Sequence, residues 1–107
     1  MKFFVAEPPE ILPLKFGKEV FDEGDFAQVT CIVTKGDFPL SIHWSINGDA
    51  VDSVESIFIS PVGSRASYLY IYPVSHQHRG FYSCHVTNEA GTASASAILK
   101  VSFDSFI

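Results

Sequence analysis

The sequence has no run of basic residues and no long apolar segment. Of its 107 residues, 7 are basic and 12 are acidic, which gives a formal net charge of −5. A surface without a basic cluster does not attract nucleic acid or an anionic membrane, so we expect no nucleic-acid partner and no direct membrane contact. No apolar run approaches the ~20 residues that span a bilayer. Any signal peptide or membrane anchor is therefore expected outside these residues.

Motifs of catalysis, phosphate binding and N-glycosylation are also missing. No nucleophile turn, oxyanion donor cluster or glycine-rich phosphate loop is present, and neither Asn47 nor Asn88 has Ser or Thr two residues on. A zinc site needs three or four convergent ligands, so the histidines are interpreted as surface side chains. They are His43, His76, His78 and His85. We expect no enzyme, no metal and no cofactor.

Helical periodicity is absent, and alternation with period two takes its place. In residues 26–35, apolar Ala27, Val29, Cys31 and Val33 alternate with Gln28, Thr30, Ile32 and Thr34, which predicts a half-buried strand. The same reasoning predicts strands at 10–14 (A), 18–21, 26–35 (B), 41–47 (C), 56–60 (D), 66–72 (E), 80–88 (F) and 92–103 (G). Residues 50–54 are ambiguous and could form a short strand C′. Asn47-Gly48 predicts a tight turn.

Two cysteines bracket the centre of the chain. Cys31 is followed by Trp44, then by the run Gly80-x-Tyr82-x-Cys84 and the turn 88–91, Asn-Glu-Ala-Gly. This pattern resembles the immunoglobulin domain of the intermediate, or I-set, type. The resemblance implies an all-β, two-sheet sandwich with one inter-sheet disulfide between Cys31 and Cys84, Trp44 packed against it and Tyr82 as a tyrosine corner.

The cysteines also bear on localisation. Two cysteines at sandwich positions favour a disulfide and an extracellular compartment; the alternative is a reduced pair, as in cytosolic muscle domains of this type. Residues 8–103 are predicted to form a single domain. Residues 1–7 are predicted to be a linker or the start of the expressed chain, and residues 104–107 a linker to a next domain.

Strand E determines which side chains are available for binding. If Leu69 and Ile71 face the core, then Leu69 joins Trp44 and Tyr82 in the core signature, and the tyrosines at 68, 70 and 72 point outward. A slip of one residue would exchange Tyr70 with Leu69. The outer A-B-E-D face then carries Gln28, Thr30, Ile32, Thr34, Tyr68, Tyr70, Tyr72, Phe58 and an edge phenylalanine, Phe16 or Phe21.

The two outer faces differ in composition. The C-F-G face is polar and small, and it places His43 across from His85. Three tyrosines beside Ile32 exceed what cross-strand pairing requires, and tyrosine is enriched at interfaces. We therefore expect a protein interface on the A-B-E-D face.

Three stretches resemble the seventh immunoglobulin domain of the Dscam cell-adhesion family and the corresponding first domain of the shortened chelicerate members. They are Pro8-Pro9-Glu-Ile-Leu-Pro-Leu-Lys-Phe16, Gly36-Asp37-Phe-Pro-Leu40 with the following Ile42-x-Trp44, and His78-x-Gly80-x-Tyr82-x-Cys84. The resemblance implies a cell-surface, single-pass membrane protein with flanking immunoglobulin domains. It also implies isoform-specific homophilic binding by weak antiparallel pairing of the A-B-E-D face.

Strand phase then predicts the residues of that interface. Tyr70 and Ile32 are placed at its centre, and charges that set specificity at its rim: Lys15, Lys18, Glu55 and Arg65. The remaining predicted contacts are Gln28, Thr30, Tyr68, Tyr72 and Phe58. Two alternatives stay open: a heterophilic receptor or immune-recognition domain, and a structural spacer whose tyrosines are covered by a neighbour, with the terminal phenylalanines Phe3, Phe4, Phe103 and Phe106 in the domain contacts.

Overall fold

A computed structural model describes residues 5–51 and 54–103 as eight strands in two antiparallel sheets. The strands are Glu10–Ile11 (β1), Ala27–Lys35 (β2), Ser41–Ile46 (β3), Asp49–Ala50 (β4), Ile57–Val62 (β5), Ala66–Ile71 (β6), Gly80–Asn88 (β7) and Gly91–Leu99 (β8). One sheet has the order β1-β2-β6-β5 and the other β4-β3-β7-β8. The predicted two-sheet sandwich is confirmed, with β1, β2, β5 and β6 as strands A, B, D and E.

The core lies between the sheets and contains the predicted signature. Cys31 and Cys84 form a disulfide across the sandwich, and Trp44 lies directly opposite Cys84 on the neighbouring strand. The indole Nε1–H of Trp44 donates to the Ser67 hydroxyl over 2.9 Å. Leu69 is fully buried. These residues join the sheets by a covalent bond, by packing and by a buried hydrogen bond.

The tight turn after β3 follows from its two residues. Asn47 and Gly48 have φ values of 52° and 88°. A type I′ hairpin turn needs positive φ at both central residues, which Asn-Gly tolerates best. The turn leads into β4, which is shorter than the predicted strand C′ and pairs only with Ser45 and Ile46. Part of that prediction, residues 52–53, lies outside the described residues.

Two predictions for the segment that follows β1 are wrong: the second strand and the outward edge phenylalanine. No second strand forms at 18–21; Phe21 makes only a single bridge to Val101, beyond β8. Phe16 and Phe21 are not on the outer face either, because the segment crosses from the β1 edge of one sheet to the β8 edge of the other. Phe21 is 3% exposed, and the Phe16 ring packs edge-on against Tyr82 at 5.4 Å. The two phenylalanines close the opening between the sheets.

The turn between β6 and β7 corrects the interpretation of His78. Residues His76–His78 form a 3₁₀ helix, and His78 is 1% exposed. Its Nδ1 accepts the Ser75 backbone N–H at 2.9 Å, and its Nε2–H donates to the Glu55 carbonyl at 2.8 Å. The surface interpretation of His78 is therefore wrong, because a turn, unlike a strand, can direct a polar ring inward toward backbone partners.

The first described residues are tied to the loops at one end of the sandwich. The Glu7 backbone N–H donates to the Asp37 carboxylate at 2.9 Å, and its carbonyl accepts from the Asn88 side chain at 2.7 Å. The predicted domain limits at residues 8 and 103 stay predictions, and Phe3, Phe4 and Phe106 lie outside the described residues. Within 5–51 and 54–103, no helix is long and apolar enough to cross a membrane.

Candidate recognition surface

The outer face of the β1-β2-β6-β5 sheet, the A-B-E-D face, is arranged in rows across β6. Tyr70 lies between Gln28 of β2 and Phe58 of β5. The next row places Tyr68 between Thr30 and Ser60, and the third places Ala66 between Ile32 and Val62. The register Val29↔Leu69 puts Leu69 inside and Tyr70 outside. The predicted phase of strand E is therefore confirmed.

Five aromatic rings form one cluster on this face, here called the aromatic cluster: Phe26, Phe58, Tyr68, Tyr70 and Tyr72. Tyr70 is at its centre, with ring centroids 4.8 Å from Phe58, 5.4 Å from Phe26 and 5.8 Å from Tyr68. The Phe58 and Phe26 rings lie within 23° of parallel to it. Stacking restricts the rotamers of the rings, so a partner that binds them orders few free side chains.

The strand positions beside the cluster carry no charged side chain. The charged residues of these four strands, Glu10 and Lys35, lie at the β1 edge, 3.9 Å apart between Lys35 Nζ and a Glu10 carboxylate oxygen. The outward residues of β2 from 28 to 34, of β6 from 66 to 70 and of β5 from 58 to 62 are all apolar or neutral polar. Ile32 and Val62 are exposed at the end opposite Phe26 and Tyr72. A neutral, partly apolar surface loses little hydration energy when it is covered.

The charged residues predicted at the rim lie off the strands or are held elsewhere. The Arg65 guanidinium stands 4.6 Å from the Phe38 ring centre and donates to the Gly36 carbonyl at 2.9 Å, so it is tied to the loop between β2 and β3. Lys15 borders a shallow groove of about 350 Å³ beside Gln28 and Thr30. Glu55 is exposed in the turn before β5.

Lys18 lies at the edge of the face rather than on a strand. Its Nζ is 3.0 Å from a carboxylate oxygen of Asp25 and 5.4 Å from the Phe21 ring centre. A hydrogen bond from the Asp22 backbone N–H, followed by one from Lys18, lowers the pKa of Asp25. Lys18 is thus already paired within its own chain, next to the start of β2.

Phe26 is the member of the cluster that strand reasoning missed. It is 48% exposed, as is Phe58, and it contacts both Tyr70 and Tyr72. The signal was available, because Phe26 precedes Gln28 by two residues and alternate residues of a strand share a face.

The outer face of the opposite sheet carries hydroxyl groups that form hydrogen bonds with one another. Ser83 and Ser96 hydroxyls are 2.7 Å apart, and those of Thr87 and Thr92 are 3.1 Å apart. The face is polar and small as predicted, except at one end, where Phe81 and Ile98 pair across β7 and β8 and are exposed. Phe81 was not predicted there.

Comparisons with known proteins agree with this architecture. A family model described as an immunoglobulin domain matches residues 8–88. The chain is 42% identical over 98 residues to the cell adhesion molecule Dscam1 of Drosophila melanogaster, covering 91% of this chain and 5% of that protein. It is 33% identical to human DSCAML1, with 91% and 5% covered. The chain therefore spans about one-twentieth of the length of these curated relatives.

Solved structures lead to the same group of domains. The crystal structure of the Dscam1 Ig7 domain, isoform 9, superposes with a TM-score of 0.84 at 41% identity, covering 89% of this chain and all of that one. Isoform 5 gives 0.84 at 36%, with 89% and 97% covered. The chain therefore belongs to the immunoglobulin domain family, and within it to the I-set domains of Dscam cell-adhesion proteins.

Proposed function

We propose that this domain is a non-enzymatic, extracellular recognition module of a Dscam-like, single-pass cell-surface protein, in which other immunoglobulin domains flank it. Its partner is a second copy of the same isoform, bound antiparallel through the A-B-E-D face. The observation that carries the proposal is the aromatic cluster centred on Tyr70 within an uncharged strand surface. Stacked tyrosine and phenylalanine rings bury large areas at a small entropic cost.

The arrangement of the face suits antiparallel pairing. A two-fold axis near Tyr68 and Tyr70 brings residues close to the axis against their own copies. Ile32, which strand phase predicted at the centre together with Tyr70, lies two rows from Tyr70 at the end of the face, in the row of Val62. This aliphatic end then packs on the aromatic end of the other face, with Phe26. The two ends of the face thus complement each other, and no like charges meet on the strands.

The same geometry limits the strength of pairing. A face made by a single small domain should bury an area near the low end of ~1,200 to 2,000 Å². We expect a micromolar dissociation constant, which corresponds to a standard free energy of binding of roughly −8 kcal/mol. Isoform specificity would then arise from substitutions on the face that place an unmatched or repelling group in the partner's path.

Sedimentation velocity between about 1 and 200 μM, a range that begins near that dissociation constant and extends well above it, tests the proposal with two matched variants. Phe58 and Phe81 are 48% and 49% exposed and lie on opposite sheets. Phe58→Asp is expected to abolish the dimer, and Phe81→Asp to leave it intact. Circular dichroism checks that both variants are folded.

Two results would reject homophilic pairing through this face. One is a parent domain that stays monomeric over the whole range, which would favour a heterophilic partner or a spacer role. The other is a dimer that persists in Phe58→Asp and disappears in Phe81→Asp, which would move self-association to the other sheet.

A further inference from the structure

Two histidines face each other on the sheet opposite the aromatic cluster. His43 of β3 and His85 of β7 are direct cross-strand partners, and their ring centroids are 5.3 Å apart with 28° between the ring planes. We propose that His43 and His85 form a two-imidazole site for a divalent transition-metal ion such as Zn²⁺. The site is separate from the A-B-E-D face and does not depend on the proposed self-association.

The spacing of the rings suits a shared metal ion. Imidazole nitrogens bind Zn²⁺ at about 2.0–2.1 Å, so two rings on one ion have centroids about 5 Å apart. His43 and His85 already have this separation, with their Cα atoms held by the β3–β7 ladder. Binding would require rotation of the side-chain torsions, because the rings are stacked rather than aimed at one point.

Hydrogen bonds orient the ring of His85. Its Nδ1 is 2.8 Å from the Ser94 hydroxyl, and its Nε2 is 3.0 Å from the Ser45 hydroxyl. When Nδ1–H donates to Ser94, the Nε2 lone pair points toward β3, where a metal ion can replace the Ser45 hydroxyl. Metal-binding histidines generally donate their second ring N–H in this way, which fixes the tautomer and the orientation of the ring.

His43 is accessible from solvent. Its side chain is exposed, and among residues 5–51 and 54–103 no hydrogen-bond partner is found for its ring nitrogens. The two histidines line an open groove of about 520 Å³ together with Gly48 and Ala50. No lysine or arginine lines this groove, and the net charge of −5 favours the approach of a cation.

The site supplies two protein ligands. Within the described part of the chain, no three His, Cys, Asp or Glu side chains converge. The other coordination positions are therefore left to water or to a donor atom from another molecule. Such a site is open and exchangeable, unlike a closed structural zinc site, for which the described residues offer too few converging ligands.

Isothermal titration with ZnCl₂ at pH 7.5, in a buffer that does not bind metal, tests the site. His43→Asn and His85→Asn are each expected to weaken binding at least 10-fold. Asn at position 85 keeps a polar group near Ser94, and both positions are at least partly exposed, so the fold is retained. The matched control is His76→Asn, because His76 is a partly exposed histidine outside the site. Its Nδ1 lies 3.7 Å from a Glu23 carboxylate oxygen, which makes the two an alternative pair of metal ligands.

A further variant separates this site from weak general binding. Ser94→Ala should weaken binding about 10-fold by releasing the His85 ring. Absence of Zn²⁺ binding by the parent domain, or equal binding by parent and His43→Asn, would overturn the proposal, as would loss of binding in His76→Asn alone. Repeating the titration in Phe58→Asp excludes an effect of self-association.

Discussion

The buried imidazole of His78 donates a hydrogen bond to the backbone carbonyl of Glu55 over 2.8 Å. This contact fastens the turn between β6 and β7 to the chain that leads into β5. The His78 carbonyl in turn accepts the Tyr82 hydroxyl at 2.7 Å. One residue thus connects the turn, the entry to strand β5 and the tyrosine corner of β7.

His78→Asp is expected to destabilise the domain by roughly 2–4 kcal/mol, because a buried carboxylate would face the Glu55 carbonyl and lose the donor. Urea unfolding at pH 7 measures the change, with His76→Asp in the same turn as the control. A difference below about 0.5 kcal/mol between His78→Asp and the parent would contradict the role given to the Glu55 contact.

Ionisation of the Tyr82 hydroxyl should lower the free energy of unfolding at alkaline pH. Burial raises the pKa of its hydroxyl well above the ordinary value of 10.0. Because the pKa is higher in the folded than in the unfolded state, the neutral Tyr82 hydroxyl contributes fully to the free energy of unfolding below the unfolded-state pKa. As pH rises above about 10, the free energy of unfolding should fall by up to about 1.4 kcal/mol per pH unit.

The Tyr82→Phe variant isolates this effect. It should cost about 1–3 kcal/mol at pH 7, because the His78 carbonyl loses its donor. Its stability should decline less steeply than that of the parent between about pH 9.5 and 11. Parallel declines in the two proteins, measured by denaturant unfolding, would assign the alkaline loss to other groups.

Phe26→Ala should weaken self-association about 10-fold, because it removes an exposed ring that stacks on Tyr70. Its cost in unfolding free energy should stay near 1 kcal/mol, since the ring is half exposed. Sedimentation and urea unfolding of the same samples separate the two quantities. Phe81→Ala is the matched control, and equal weakening by both would count against a role for the aromatic cluster.

Lys18→Met tests whether the Lys18 charge acts within its own domain, on Asp25, or contributes to binding of the partner. The pKa of Asp25 should rise but stay below its usual range, because the Asp22 backbone N–H is the larger cause of its lowering. A depressed carboxyl pKa stabilises the fold above the unfolded-state value, and that contribution is lost as pH falls through the folded-state pKa.

Carbon-detected NMR titration of the Asp25 carboxyl measures this shift, and sedimentation of the same variant gives the dimer affinity. We expect a change in affinity of less than about 3-fold, because Lys18 is paired with Asp25 within its own chain. A larger loss would place Lys18 in the interface, as the sequence first suggested.

The strand pattern predicted the faces correctly where residues lie within regular strands. Tyr70 points outward and Leu69 inward because alternate residues of a strand take opposite sides, and β6 is regular throughout its register with β2 and β5. Strand ends were predicted less accurately. β8 ends at Leu99 rather than at residue 103, and β5 continues to Val62, because pairing with the neighbouring strand determines where a ladder stops.

The sandwich and its core signature could be predicted from the spacing of Cys31, Trp44, Tyr82 and Cys84, which resembles that of immunoglobulin domains. The outward side of the tyrosines followed from period-two alternation, which is a local property of the chain.

The contacts between non-adjacent segments became visible only in the folded domain. The tertiary structure buried Phe21 in the opening between the sheets and turned His78 inward toward Glu55. It also stacked the rings of His43 and His85, which the strand phases had placed only on facing strands. Such contacts depend on how two sheets and their connecting turns pack in space, which no local pattern encodes.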